Sequence, residues 1–379
     1  MPEGYLTWVE IEKDAIKHNL AVFQKVVGPH VKLMPIVKSN AYGHGMVGIA
    51  EIASDFGVDY LGVVNLAEAL ELRKNHILTP ILVLSYFDLG SIEEALENNI
   101  ELTVYDRETV RKISEEAKKL NKRARLHVKI DTGTARLGIL AKEAAEFIDD
   151  IKDIKGIELV GIFTHFADSE NADWTYTNQQ ILEFKNLLFH LQKRNITIPL
   201  MHAACSAAAL VSADTHFNLV RVGISLYGLW PSEETKQKVS SKYSWLELKP
   251  ALTWKTKIVQ IKELEKRSPV GYGCSYKTSK KTRLAIIPVG YHEGYSRLLS
   301  NKGEALINGK IVPVIGRVCM NLTMIDVTKV RDIKVGEEVI LIGKKNGQEI
   351  TAEEIAKKTN TINYEVITRI NPLIPRVYL

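Results

Sequence analysis

Between residues 31 and 228 short apolar runs alternate with helix-periodic segments, and this rhythm constrains the chain more than any other feature. Strand candidates cover 31–37, 60–64, 81–86, 102–105, 126–130, 157–163, 200–203 and 219–226. Continuous apolar runs of this length fit strands buried on both faces, as in parallel sheets. Helical patterns at 107–120, 142–151 and 178–194 lie between them. An earlier helix places Ile16, Leu20, Phe23 and Val27 on one face, with Asp14 near its start and Gly28-Pro29 stopping it. About eight β/α units in roughly 200 residues is what a (β/α)8 barrel requires. An open doubly wound sheet would show the same periodicity. Pro35 sits inside the first run, although proline removes a ladder donor and normally belongs at sheet edges or bulges.

The stretch 232–249 is rich in Ser, Lys and Glu and interrupts the rhythm, so it reads as a linker. Beyond it, the runs 254–261, 284–289, 304–307, 310–314, 323–327 and 338–342 look like short strands separated by turns such as Asn308-Gly309, with one helix near 352–357. The fold class is therefore α/β, a (β/α)8 barrel followed by a smaller, mostly β domain. The expected division is 12–240 for the barrel and 241–379 for the β domain, with the opening strand at 5–11 joining the latter.

Composition narrows the function. Hydrophobic residues make up 45% and charged residues 25% of the 379 positions, which excludes a mainly disordered or collagen-like chain. Fifty basic against forty-five acidic residues leave a net charge of +5, spread along the chain rather than gathered into the basic stripe of a nucleic-acid binder. Anionic small molecules remain plausible ligands. Cys205, Cys274 and Cys319 are too few and too scattered for a disulfide framework or a CxxC site, which points to a reducing compartment. The opening Met1-Pro2-Glu3-Gly4-Tyr5 has no signal-peptide pattern, and no stretch reaches about eighteen apolar residues. The reading is a soluble, cytoplasmic protein with neither membrane nor nucleic-acid partner.

The chemistry-bearing segments follow the strands. Lys38, in Val37-Lys38-Ser39-Asn40-Ala41-Tyr42-Gly43-His44-Gly45, stands at the C-terminal end of the first barrel strand, the face where barrel active sites gather. A lysine there can be a side chain snorkelling at a strand end. In a partly buried pocket it also loses its proton easily and can form a Schiff base, which is how pyridoxal phosphate is held. Gly223, in Arg221-Val222-Gly223-Ile224, permits close backbone approach to a phosphate, and Ser206 offers a hydroxyl from the preceding unit. Arg221 could face the pyridine nitrogen; a guanidinium has only donors and would keep that nitrogen unprotonated, which favours controlled proton exchange. His165 closes another strand, and the ten histidines show no metal-ligand spacing. Lys129 and Arg136 flank a strand end, where Arg136 could clamp a carboxylate. Tyr272 lies between Gly271 and Gly273; a phenol with pKa about 10 is a poor base unless cations stabilise its phenolate.

Together these segments closely resemble alanine racemase, a pyridoxal-phosphate enzyme of fold type III. The matching pieces are VKSNAYGHG at 37–45, KIDTGTARLG at 129–138, THFA at 164–167, CSAAAL at 205–210, RVGISLYG at 221–228, GYGCSY at 271–276, GRVCM at 316–320 and INYEVI at 362–367, in family order along nearly the whole chain. The resemblance implies a head-to-tail homodimer in which each active site takes residues from both subunits. It implies that Lys38 holds the cofactor and is the base on the D face, and that Tyr272 of the other subunit is the base on the L face. A histidine–arginine pair, His165 and Arg221, would supply the cationic environment for Tyr272. Tyr42, Ser206, Gly223, Ile224 and Tyr364 resemble the phosphate ligands, and Arg136 with the Met320 backbone the substrate-carboxylate site. The lysine at the position of Lys129 is carbamylated in many members and orients the arginine. Tyr272 and Tyr364 would narrow an inner gate to the size of a methyl group, and Arg297, Arg317 and Ile362 resemble a substrate corridor.

The chain departs from the family pattern at Asn321, where Asp usually follows Cys-Met, at Cys205 for a usual Asn, at His292-Glu293 for Ala-Asp and at Ala135 for Gly. None removes a proposed base or phosphate ligand. The implied function is L-/D-alanine interconversion, supplying D-alanine for peptidoglycan. The alternatives are a racemase acting on serine or other small amino acids, and a non-catalytic pyridoxal-phosphate-binding barrel; residues 245–379, with Tyr272 and Tyr364, count against the latter.

Overall fold

The computed structural model describes residues 4–379. They form two compact units, an α/β unit of residues 14–41 and 46–250 and a β unit of residues 4–13, 42–45 and 251–379. In chain order the first strands are β1 (Thr7–Ile11), β2 (Lys32–Pro35), β3 (Leu61–Val63), β4 (Ile81–Val83), β5 (Glu101–Val104), β6 (Ala124–Asp131), β7 (Ile139–Leu140), β8 (Ile157–Phe163), β9 (Leu200–His202) and β10 (Leu219–Val222).

In the α/β unit the strands are parallel and almost wholly buried. Every residue of β3, β4, β5 and β10 is buried, which explains why the sequence there is mostly apolar. Helices such as Arg107–Lys119 cover the outer face, burying Val110, Ile113 and Ala117; Asp106 caps it by accepting from Thr109 N at 2.8 Å. The ladder runs β3-β4-β5-β6-β8-β9, with β7 against β6, while β10 and β2 form a separate pair. The sheet is thus curled, not a single closed ring of ladder pairing. A lone bridge joins Ile36 to Gly62. Pro35 takes the last position of β2, opposite Val222, where its missing donor is least costly.

Two local expectations are corrected. The run at 219–226 breaks at Gly223: β10 ends at Val222, and Ile224–Tyr227 is a 3-10 turn closed by Gly228 at φ 83°. The stretch read as a linker contains the helix Glu233–Lys242, capped by Ser232 Oγ accepting from Thr235 N at 3.0 Å. That helix buries only Thr235 and Val239, so no apolar stripe announced it.

The β unit is a sheet in the order Lys310–Pro313, Glu304–Ile307, Glu338–Lys345, Leu252–Lys257, β1, Arg376–Tyr378, with Gln348–Ile350 beside Glu338–Lys345. β1 pairs antiparallel to Leu252–Lys257 and parallel to Arg376–Tyr378. A three-stranded sheet, Gln260–Leu264, Thr282–Ile287 and Thr323–Asp326, packs around Val270, Leu284, Ile315 and Met324. The apolar run at 254–261 is therefore two strands. Among the described residues no helix is long and apolar enough to cross a membrane.

Candidate active site

Lys38 immediately precedes a left-handed turn. Ser39, Asn40, Ala41 and Tyr42 have φ of 55°, 54°, 50° and 52°. This conformation costs a non-glycine residue about 1–2 kcal/mol, so the turn needs fixed anchors. Ala41 N donates to Val37 O at 2.9 Å, and Asn40 Oδ1 accepts from Met46 N at 3.1 Å. Glu68 accepts from Ser39 N at 2.6 Å with one oxygen and from Val64 N at 2.8 Å with the other. Burial, and next the charge of Arg136, lower the Lys38 pKa, while Glu68 opposes them. The turn presents an amine that deprotonates more readily than a surface lysine.

Lys129, buried on β6, donates to Leu84 O at 3.3 Å and lies 5.5 Å over the Phe163 ring. Burial, followed by the charges of Arg136, Arg221 and Lys38, brings its pKa down to about 8. The next loop winds around Asp131, whose Oδ1 accepts from Gly133 N at 2.9 Å, Thr134 N at 2.8 Å and Ala135 N at 3.2 Å. Its Oδ2 accepts from Arg136 N at 3.2 Å. Burial would raise the Asp131 pKa, but these backbone donors hold it below the usual carboxylate range. The loop leaves Arg136 exposed and holds Ala135 at φ 50°.

Arg221 on β10 is only 4% exposed. Nη1 donates to His202 Nδ1 at 2.8 Å; Nη2 reaches Thr164 O and Ala203 O at 2.7 Å each and His165 Nδ1 at 3.2 Å. Burial lowers its pKa to about 10, still charged at neutral pH. Burial, then the Arg221 charge, push the His165 pKa well down, so the imidazole is neutral. Beside it, Ser206 Oγ accepts from Gly223 N at 2.9 Å and Ser225 N at 3.4 Å, and the Ser225 hydroxyl is buried with no hydrogen-bond partner. Among the described residues no carboxylate lies within 4 Å of the charged nitrogens of Lys38, Lys129, Arg136 or Arg221.

The β unit carries the remaining candidates. Tyr272 is 72% exposed between Gly271 and Gly273, both at φ 69°. A Cβ on Gly273 would lie 2.7 Å from the guanidinium at the flexible end of the Arg317 side chain. The Tyr42 and Tyr364 rings sit 6.1 Å apart. Met320 O accepts from His292 N at 2.9 Å. Two of the departures meet here: Asn321 donates to Glu293 Oε1 at 2.8 Å, and Gly290 N donates to Glu293 Oε2 at 2.8 Å.

The family model "Alanine racemase, N-terminal domain" matches residues 11–231, and "Alanine racemase, C-terminal domain" matches residues 251–378. The chain belongs to the alanine racemase family. Alanine racemase 2 of Caldanaerobacter subterraneus subsp. tengcongensis is 43% identical over 374 residues, 98% of this chain and 95% of that protein. An alanine racemase structure from Clostridium difficile superposes with a TM-score of 0.93 at 39% identity, covering 99% of this chain and 96% of that one. The fold also matches histidine racemase of Leuconostoc mesenteroides, with a TM-score of 0.89 at 28% identity over 100% and 99% of the two chains. Family membership therefore sets the fold and leaves the side chain of the substrate to the site.

The residues predicted on the α/β unit come together electrostatically. Lys38, Lys129, Arg136 and Arg221 all act on His165. Sequence reasoning missed Glu68, Glu101, His127, His202 and Ser225. Glu101 opens β5, His127 lies within β6 and His202 closes β9, so the one signal they share is a polar residue in or at the end of a strand.

Proposed function

We propose that this chain is a pyridoxal-phosphate-dependent racemase that interconverts L- and D-alanine. The observation that carries the reading is a site whose cations, Lys38, Lys129, Arg136 and Arg221, have no paired carboxylate among the described residues. Such a site suits a ligand bearing a phosphate and a carboxylate. The amide pair of Gly223 and Ser225, gathered on Ser206, and the unpartnered Ser225 hydroxyl fit the phosphate end. We take the eight parallel strands as a (β/α)8 barrel, its two gaps spanned by Val37 N donating to Gly62 O at 2.9 Å and Arg221 N donating to Ala204 O at 3.1 Å.

Lys38 would hold the cofactor covalently, and Ser206, Gly223, Ile224, Tyr42 and Tyr364 its phosphate. When bound, pyridoxal phosphate withdraws electrons from the substrate α-carbon and so acidifies the α-proton. Every other task falls to protein groups. Arg136 binds the substrate carboxylate with the Met320 backbone. Lys129, whose amine is neutral over part of the working pH range, is suited to react with CO2; the carbamate would give Arg136 an anionic partner. Lys38 moves the proton on one face. Tyr272, supplied by the second subunit of a homodimer, moves it on the other. With Arg221 donating to His165 Nδ1, the remaining proton of His165 is on Nε2, a donor suited to a phenolate. Arg221, cationic at neutral pH and equipped only with donors, would face the ring nitrogen and keep it unprotonated.

Chromatographic separation of alanine enantiomers tests the reading. Lys38→Ala and Tyr272→Phe should each lose more than about 100-fold activity. Mixing the two inactive variants should restore about a quarter of the wild-type activity, because one site in four then carries both bases in a symmetric dimer. Cofactor-loaded wild-type protein that leaves L-alanine unchanged would overturn the reading.

A further inference from the structure

A row of buried polar side chains runs between the curled strands and ends at Arg221. It begins at Glu101, the first residue of β5 and 4% exposed. Glu101 Oε2 lies 2.8 Å from His127 Nε2, His127 Nδ1 lies 3.1 Å from His202 Nε2, and His202 Nδ1 lies 2.8 Å from Arg221 Nη1. The other Glu101 oxygen accepts from Arg125 Nε at 2.7 Å and from the Tyr60 hydroxyl at 3.3 Å. β5, β6, β9 and β10 each contribute one member.

Elementary chemistry fixes the protons along this row. A guanidinium offers only donors, so His202 Nδ1 accepts and its Nε2 carries the hydrogen. That hydrogen goes to His127 Nδ1, and His127 Nε2 then donates to Glu101. The direction is set at one end by a permanent cation and at the other by a carboxylate. Burial alone would raise the Glu101 pKa, but the bonds from His127 and Arg125 hold it below the ordinary range. Burial, then the Arg221 charge, keep His202 neutral.

The fold makes room for the row. The β6–β8 register shifts at Leu126/His127, which sets His127 against Gly161. A Cβ at Gly161 would stand 2.0 Å from His127 Nδ1. Phe163 stacks on His202 with ring centroids 4.7 Å apart and planes 5° from parallel. Buried polar networks of this kind often contribute no net stability compared with apolar packing. What this one gives is a counter-charge and a single orientation for a buried cation that has no carboxylate of its own.

We propose that Glu101, His127 and His202 are positioning residues that hold Arg221 in one orientation toward the site. Two neutral imidazoles of fixed tautomer convey the Glu101 charge to it. The proposal rests on the reading of Arg221 as the group that faces the cofactor ring.

The test is 15N NMR of histidine-labelled full-length protein, before and after pyridoxal phosphate is added, combined with steady-state kinetics. Wild-type protein should show His127 and His202 protonated on Nε2 alone in both states. Glu101→Leu removes the terminal acceptor and leaves the His127 Nε2 hydrogen without a partner, so the His127 Nε2 resonance should shift, and kcat should fall by about 10- to 100-fold, the usual effect of losing an outer hydrogen-bonded partner. KM should stay within about twofold, since Arg136 binds the substrate. Glu101→Gln keeps an acceptor oxygen and should recover part of kcat. A proton on His202 Nδ1 in the wild-type protein overturns the proposal, whether or not the leucine variant folds. So does a Glu101→Leu variant with wild-type kcat. Arg221→Lys separates the two levels: if it changes kcat and the cofactor spectrum while Glu101→Leu changes neither, only the positioning row fails. If Arg221→Lys also leaves both unchanged, the reading of Arg221 fails.

Discussion

Both carboxylate oxygens of Glu68 are engaged by backbone amides, one by Ser39 N at 2.6 Å and the other by Val64 N at 2.8 Å. One side chain therefore ties the left-handed turn behind Lys38 to the loop that opens the helix Leu66–Lys74. Glu68 also raises the Lys38 pKa against the lowering from burial and Arg136. Replacing it with glutamine keeps an acceptor and removes the charge. The Lys38 amine should then deprotonate at lower pH, and the pH profile of cofactor capture, followed by absorbance, should shift toward acid. An unshifted profile would remove Glu68 from the electrostatics of Lys38.

Ala135 sits at φ 50°, where an L side chain is strained. Ala135→Gly relieves about 1–2 kcal/mol of that strain and adds about 0.5–1 kcal/mol of chain entropy cost, so a net stabilisation of roughly 0.5–1 kcal/mol is expected in denaturant unfolding. A lower midpoint would show that the loop around Asp131 bears no strain at this position.

Lys129 has an unfolded pKa near 10.5 and a folded value of about 8. Between those values the unfolded chain binds more protons, so stability rises with pH through that window. Below about pH 8 the full penalty of charging a buried amine is present, on the order of 3 kcal/mol. Lys129→Met should therefore raise the melting temperature of the cofactor-free protein at pH 7, and the advantage should shrink as pH approaches 10.5. Activity should fall, because Arg136 loses its neighbour. Added bicarbonate should stabilise the wild-type protein and not the methionine variant.

Asn321 and Glu293, both departures from the family pattern, are hydrogen-bonded at 2.8 Å. Restoring the family aspartate at 321 alone would set two carboxylates face to face. For so exposed a pair the loss should stay under about 1 kcal/mol at neutral pH and vanish on acidification, as one carboxyl takes up a proton. Glu293→Ala in the same protein should abolish the effect; an additive double variant would show that the two residues are independent.

Much of the fold was legible because strands buried on both faces write unbroken apolar runs, and because chemistry-bearing residues follow those runs directly. Lys38, Arg136, Ser206 and Arg221 could be picked out on that ground. The helix Glu233–Lys242 was hidden because it buries only two residues. The turn at Ser39–Tyr42 was hidden because none of its left-handed residues is glycine. The row from Glu101 to Arg221 was hidden for a third reason: its contacts join residues 26, 75 and 19 positions apart, and only strand order brings them together.

Proton exchange by two bases on opposite faces is read from the α-deuterium content of both alanine enantiomers early in the reaction of L-alanine in D2O. The first D-alanine formed should carry solvent deuterium while the remaining L-alanine stays largely unlabelled. D-alanine that retains the original proton would mean that one base serves both faces, and would contradict the roles given to Lys38 and Tyr272.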